Sequence, residues 1–105
     1  MLERKFALLW STLKGGSLVE EHRFHPVRKW RLDFAHLETK VGIELQGGVF
    51  SGGRHARGYG IVGDYEKGNE AIFCGWVIIQ LSAKQITTEN IEKIRELIAK
   101  RSLNK

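Results

Sequence analysis

The chain has 105 residues, 42% of them hydrophobic and 28% charged, which fits one folded domain over 1–105 and excludes a disordered or low-complexity protein. Seventeen Lys and Arg against 12 Asp and Glu give a formal net charge of +5, which favours a polyanionic partner. No apolar run approaches the roughly 20 residues of a membrane span, the start MLERKFALLW mixes charges with apolar residues unlike a signal peptide, and the single Cys74 forms no internal disulfide, so a cytoplasmic protein is expected.

Along the chain, Phe6, Leu9, Trp10 and Leu13 fall at helical spacing and predict an amphipathic helix over 3–14 that stops before Gly15 and Gly16. A polar link containing Pro26 leads to two alternating strands, WRLDFAH and KVGIELQ, joined by a turn at 37–40. Their apolar pattern selects a register in which Leu32 faces Leu45, Phe34 faces Ile43 and His36 faces Val41. The other face then sets Arg31 against Gln46, Asp33 against Glu44 and Ala35 against Gly42. After the glycine-rich loop GGVFSGGRHARGYG, a helix is expected from Asp64, as its N-cap, to Cys74, with Gly75 as its stop. WVIIQL reads as a buried strand, and TTENIEKIRELIAKR as a helix capped by Thr87 or Thr88, with Ile91, Ile94, Leu97 and Ile98 on one stripe. This order describes a small α/β domain, with Trp10, Trp30 and Trp76 expected in its core.

Like charges opposed on one face of an antiparallel pair are destabilising, so Asp33 and Glu44 need a reason. Two readings stand open. In one, the carboxylates and the carbonyl of Leu45 hold Mg²⁺, completed by water and a substrate phosphate. In the other they are a solvated sheet face with Arg31 as counter-ion.

Asp33 followed by E-x-Q at 44–46 resembles the active-site motif of the PD-(D/E)XK nuclease superfamily. The strings EHRFHPVRKWRLDFA, VGIELQGGVFSGGRHARGYGIVGDYEKGNEA and GWVII resemble small phage and bacterial proteins of that superfamily, roughly over 21–81. The resemblance implies a single-domain, restriction-endonuclease-like α/β core with a mixed central β-sheet flanked by helices, the core also used by Holliday-junction resolvases. It implies Mg²⁺-dependent hydrolysis of DNA phosphodiesters, with Mn²⁺ as a substitute, and Asp33 and Glu44 as metal ligands assisted by Glu21. Two positions depart from the pattern: Gln46 stands where Lys is usual, and Leu32 where Pro is usual.

The chemistry gives each residue a task. A phosphodiester repels hydroxide, so a metal must neutralise a phosphoryl oxygen or lower the pKa of a bound water. The Gln46 amide can orient that water, and Lys67 either supplies the displaced positive charge or is an exposed helix lysine. Arg28, Lys29 and Arg31 form one candidate DNA-backbone contact, and Arg54, His55 and Arg57 another. Phe50 either wedges against a base or anchors its loop, and Glu20 reads as a solvated acid beside Glu21.

Other chemistries fit less well. His22, His25, His36 and His55 with one cysteine lack zinc-ligand spacing, and Cys74 reads as structural rather than nucleophilic. GYGIVG matches G-x-G-x-x-G, but a long loop precedes it and too little chain follows for a dinucleotide-binding domain, so no nucleotide cofactor is expected. The expectation is a homodimeric endonuclease selective for branched or junction DNA, acting in the bacterial host cytoplasm if phage-encoded. The alternative is a catalytically inactive nuclease-fold protein that binds DNA, kept open by Gln46.

Overall fold

The structure, a computed structural model, describes residues 2–46 and 59–103, with the backbone alone over 59–64. Helix α1 (Leu2–Thr12) precedes strands β1 (Val19–Arg23), β2 (Arg31–His36) and β3 (Val41–Gln46). Helix α2 (Tyr59–Phe73), strand β4 (Val77–Ser82), a 3-10 turn (Ala83–Gln85) and helix α3 (Thr88–Leu103) complete the described chain. The strands form a four-stranded mixed sheet in the order β1-β2-β3-β4, antiparallel through β3, with β4 parallel to β3. Among the described residues no helix is long and apolar enough to cross a membrane.

Alternation along β3 sends side chains to two cores. Val41 and Ile43, with Leu45 beside them, join Phe6 and Trp10 of α1 and Ile91 and Ile94 of α3 on one face. On the other face Ala71 of α2 packs with Leu32, Ala35, Phe24 and Trp76. The chain is therefore a small α/β domain whose sheet is flanked by helices on both sides, the architecture expected from the sequence. The amide N–H of Asn90 donates to Thr87 Oγ1 at 3.2 Å, which selects Thr87 over Thr88 as the cap of α3. Thr87→Ala should cost about 1 kcal/mol and lower the thermal midpoint by roughly 4–8 °C. An unchanged midpoint in a calorimetric scan would contradict that role.

The hairpin register is observed where the ladder runs, at Phe34↔Ile43, Ala35↔Gly42 and His36↔Val41. It ends there, so the expected pairs Leu32 with Leu45 and Asp33 with Glu44 do not form. Leu32 lies on the face opposite to Phe34: it packs with Ala35 and Trp76, and a Cβ built on Gly42 would meet its Cδ1 at 2.6 Å. The cause lies in β1, where Glu20 pairs with Phe34 and His22 with Leu32, so that Glu21 stands across from Asp33. Glu21 has φ +53, left-handed backbone that costs a non-glycine residue about 1–2 kcal/mol. Both strands change face at this pair, and His22 accordingly lies against the Trp76 ring, 5.3 Å between centroids.

Other boundaries also moved. β1, read from the sequence as part of a polar link, is a strand despite its charges because it pairs along β2. The second helix begins at Tyr59, so Asp64 lies inside it and is not its N-cap, and most of GYGIVG is helical. β4 borders the described sheet rather than being buried within it, and its first three residues are only half-buried. Trp30 and Trp76 each fall just before a strand rather than within one.

Candidate active site

Asp33 is positioned by the place where the ladder ends. Beyond Phe34 the strands β2 and β3 part, and the backbone N–H of Leu45 donates to Asp33 Oδ2 at 2.7 Å. The carboxylate thus takes the acceptor role that a strand carbonyl would have played. Asp33 is clipped to the backbone next to Glu44 instead of facing its side chain, which relieves the like-charge opposition that regular pairing would impose.

Glu44 points to the face covered by α2. Its Oε2 accepts a hydrogen bond from Lys67 Nζ at 2.6 Å, and the two side chains are only 16% and 22% exposed. A short charge-assisted bond in this partly desolvated setting is stronger than a surface ion pair. Lys67 is therefore no free surface lysine: α2 delivers its ammonium to the glutamate of the E-x-Q motif.

Between this sheet face and α2 lies an open cleft of about 1050 Å³. Glu44, Gln46, Lys67 and Gln80 line it, and the buried Leu32, Phe24 and Trp76 back it. Gln80 sits beside Glu44 because β4 runs parallel to β3 with Glu44↔Gln80 in register. The sequence reading missed Gln80. The signal available was the one polar residue inside WVIIQL, which marks a strand position not wholly buried.

Glu21, across from Asp33 on β1, does not join the two carboxylates in a cluster of three. Its carboxylate lies 3.6 Å from the Arg31 guanidinium, with both side chains more than half exposed. Glu20 is exposed as well. Among the described residues, no group of three or more His, Cys, Asp or Glu is arranged to hold a metal ion. Asp33 and Glu44 are thus, among the described residues, a pair of neighbouring carboxylates and not part of a cluster of three.

The first basic cluster is ordered by α2. His25 Nδ1 accepts the backbone N–H groups of Val27 and Arg28 at 3.1 and 2.9 Å, which leaves Nε2 to donate to Glu70 at 2.9 Å. Arg28 lies 3.7 Å from Glu66 with its guanidinium 4.1 Å over the Trp30 ring, while Lys29 is exposed. These contacts fix the 25–30 segment on the helix that also carries Lys67. His36 bonds Thr39 Oγ1 at 2.7 Å within the hairpin turn, and Cys74 is half-buried just past α2. Phe50, Arg54, His55 and Arg57 lie outside the described residues.

No protein-family model matches the sequence, and no curated protein matches it. Among solved structures, the Homing Endonuclease I-Bth0305I Catalytic Domain is similar, with a TM-score of 0.61 over 99% of this chain and 95% of that one. The two chains share a fold. At 18% identity the likeness extends to the architecture alone.

Proposed function

We propose that this protein is a divalent-metal-dependent DNA endonuclease of the PD-(D/E)XK type, built on the E-x-Q variant of the motif. The observation that carries the reading is the nearness of three parts along β3: Glu44 and the Lys67 ammonium upon it, which line the cleft, and Asp33 held on the next backbone N–H. A fold shared with a catalytic domain titled as that of a homing endonuclease supports it.

The donor set fits a hard cation. Glu44 already draws a positive group to its partly buried oxygen, and two carboxylates with the Leu45 carbonyl suit Mg²⁺, or Mn²⁺ in its place, which keeps several waters. When bound, such an ion would neutralise a phosphoryl oxygen and acidify a water. Gln46 accepts a hydrogen bond from the attacking water and orients it. Lys67 provides, from α2, the positive charge that the motif lysine supplies elsewhere, and it stabilises charge developing on the phosphate. Arg28, Lys29 and Arg31 hold the DNA backbone with Arg54, His55 and Arg57, and Glu21 assists by steadying Arg31. A small domain has few loops with which to read sequence, so the reading extends to a homodimer that recognises branched DNA.

The test is incubation of the purified protein with supercoiled plasmid and with a four-way junction, in Mg²⁺, in Mn²⁺ and in chelator. Nicking with either metal and none in chelator is expected. Binding without nicking in every metal would instead identify a nuclease-fold DNA-binding module, and absence of binding would remove both readings.

A further inference from the structure

Gly68 stands in the interior of α2, where glycine is less favourable than alanine. Close packing does not require it, because a Cβ built there meets nothing within 4 Å. Yet Gly68 lines the cleft. What a side chain at this position would take away is open space between the helix and the sheet.

That space has a consistent chemistry. Its inner part is closed by packed core, with Trp76 and Leu32 both buried, so the open space lies toward the rim. Tyr65, Asn69 and Ile72 share one helical stripe along its rim, with Tyr65 67% and Ile72 66% exposed, an apolar surface left uncovered on the helix that walls the cleft. Asn69 and Gln80 bring carboxamides to it, and neither makes a side-chain hydrogen bond among the described residues. From Trp76 to Gln80 the chain spans about 13 Å at a strand rise of roughly 3.3 Å per residue. Lys67 and Glu44 occupy the Gln80 end, where a phosphate would bind.

We infer that the cleft accommodates one unstacked nucleobase of the DNA strand whose phosphate lies at Lys67 and Glu44. The exposed Tyr65 ring and Ile72 side chain take the faces of the base, and the Asn69 and Gln80 carboxamides take donors and acceptors on its edge. A stacked base pair cannot pass between a helix and the sheet it covers. The base must leave the stack, and this costs least where it is already unpaired. The substrate class is thereby narrowed to DNA with unpaired bases next to the scissile phosphate. This site rests on the nuclease reading, since the strand is placed by its phosphate.

The probe is a short oligothymidylate, compared with an abasic oligomer of the same length and linkage, both in chelator so that nothing is cut. Wild-type protein should bind the base-bearing strand about tenfold more tightly than the abasic one. Gly68→Leu should fill the cleft, leave the thermal midpoint unchanged or raised, and remove that preference while retaining affinity for the abasic strand. Gln80→Ala, at an exposed position, should reduce the preference in the same sense. Lys67→Ala should weaken both strands alike.

A Gly68→Leu or Gln80→Ala protein that keeps the wild-type preference, or loses affinity for both strands equally, would overturn the base site. If wild-type protein nicks DNA with Mg²⁺ but binds both oligomers equally, the base site fails and the nuclease reading stands. If it neither nicks nor binds DNA, both fail together.

Discussion

Glu44→Gln is expected to abolish metal-dependent cleavage, with a loss of about 10³-fold or more, while leaving the domain folded. The figure corresponds to roughly 4 kcal/mol of transition-state stabilisation, within the several kcal/mol ascribed to a phosphoryl-bound metal. Glutamine keeps the shape of the side chain and a carbonyl oxygen that still accepts the Lys67 hydrogen bond, now 2.6 Å in length. It removes the charge that a hard cation requires. Glu44→Ala is the less clean variant, because it leaves the largely buried Lys67 ammonium without a partner. Asp33→Asn should act in the same direction, since its amide oxygen can still accept the Leu45 N–H that Asp33 receives. Single-turnover cleavage would be measured alongside calorimetric Mg²⁺ titration and circular dichroism. Wild-type cutting by Glu44→Gln, in preparations free of contaminating nuclease, would remove Glu44 from the site.

Phe6→Ala should be the most damaging change on the opposite face of the sheet. Phe6 is fully buried, stacked at 5.7 Å on Trp10 and set 4.8 Å from Phe34, so that it joins α1 to the sheet. Truncating a buried Phe costs about 3–5 kcal/mol, a large share of the roughly 5–15 kcal/mol that holds an ordinary domain together. The unfolding midpoint should fall by roughly 15–30 °C for a domain of this size. Because the candidate site lies on the α2 face, cleavage per folded molecule at low temperature should be unchanged. A variant that is stable yet inactive would show that the two faces are coupled.

These residues also show what the sequence made legible. The register of β2 and β3 could be read because Phe34, Ile43 and Val41 leave only one pairing that buries them together. The same alternation misplaced Leu32, because period-two patterning assumes unbroken extended backbone and carries no sign of a left-handed residue in a neighbouring strand. β1 was hidden for a related reason: VEEHR has one apolar residue, and its strand character comes from hydrogen bonding to β2 rather than from its own pattern. Within the site, Asp33, Glu44 and Gln46 stand in one short motif and were visible. Lys67 could be named as a candidate for the displaced positive charge, but it lies on a separate helix and no spacing rule chose between that and an exposed lysine. Gln80 was concealed by apolar neighbours that made its strand look wholly buried.

The left-handed Glu21 has one more consequence, for how the molecule behaves in a crowd of its own copies. β1 borders the described sheet, and a straight border strand offers a row of backbone donors and acceptors to which a foreign strand can add. The turn in the backbone at Glu21 interrupts that row midway, and the exposed charges of Glu20, Glu21 and Arg23 line the same border. The kink that lets Asp33 reach the backbone of β3 therefore also guards this side of the protein against sheet-by-sheet aggregation.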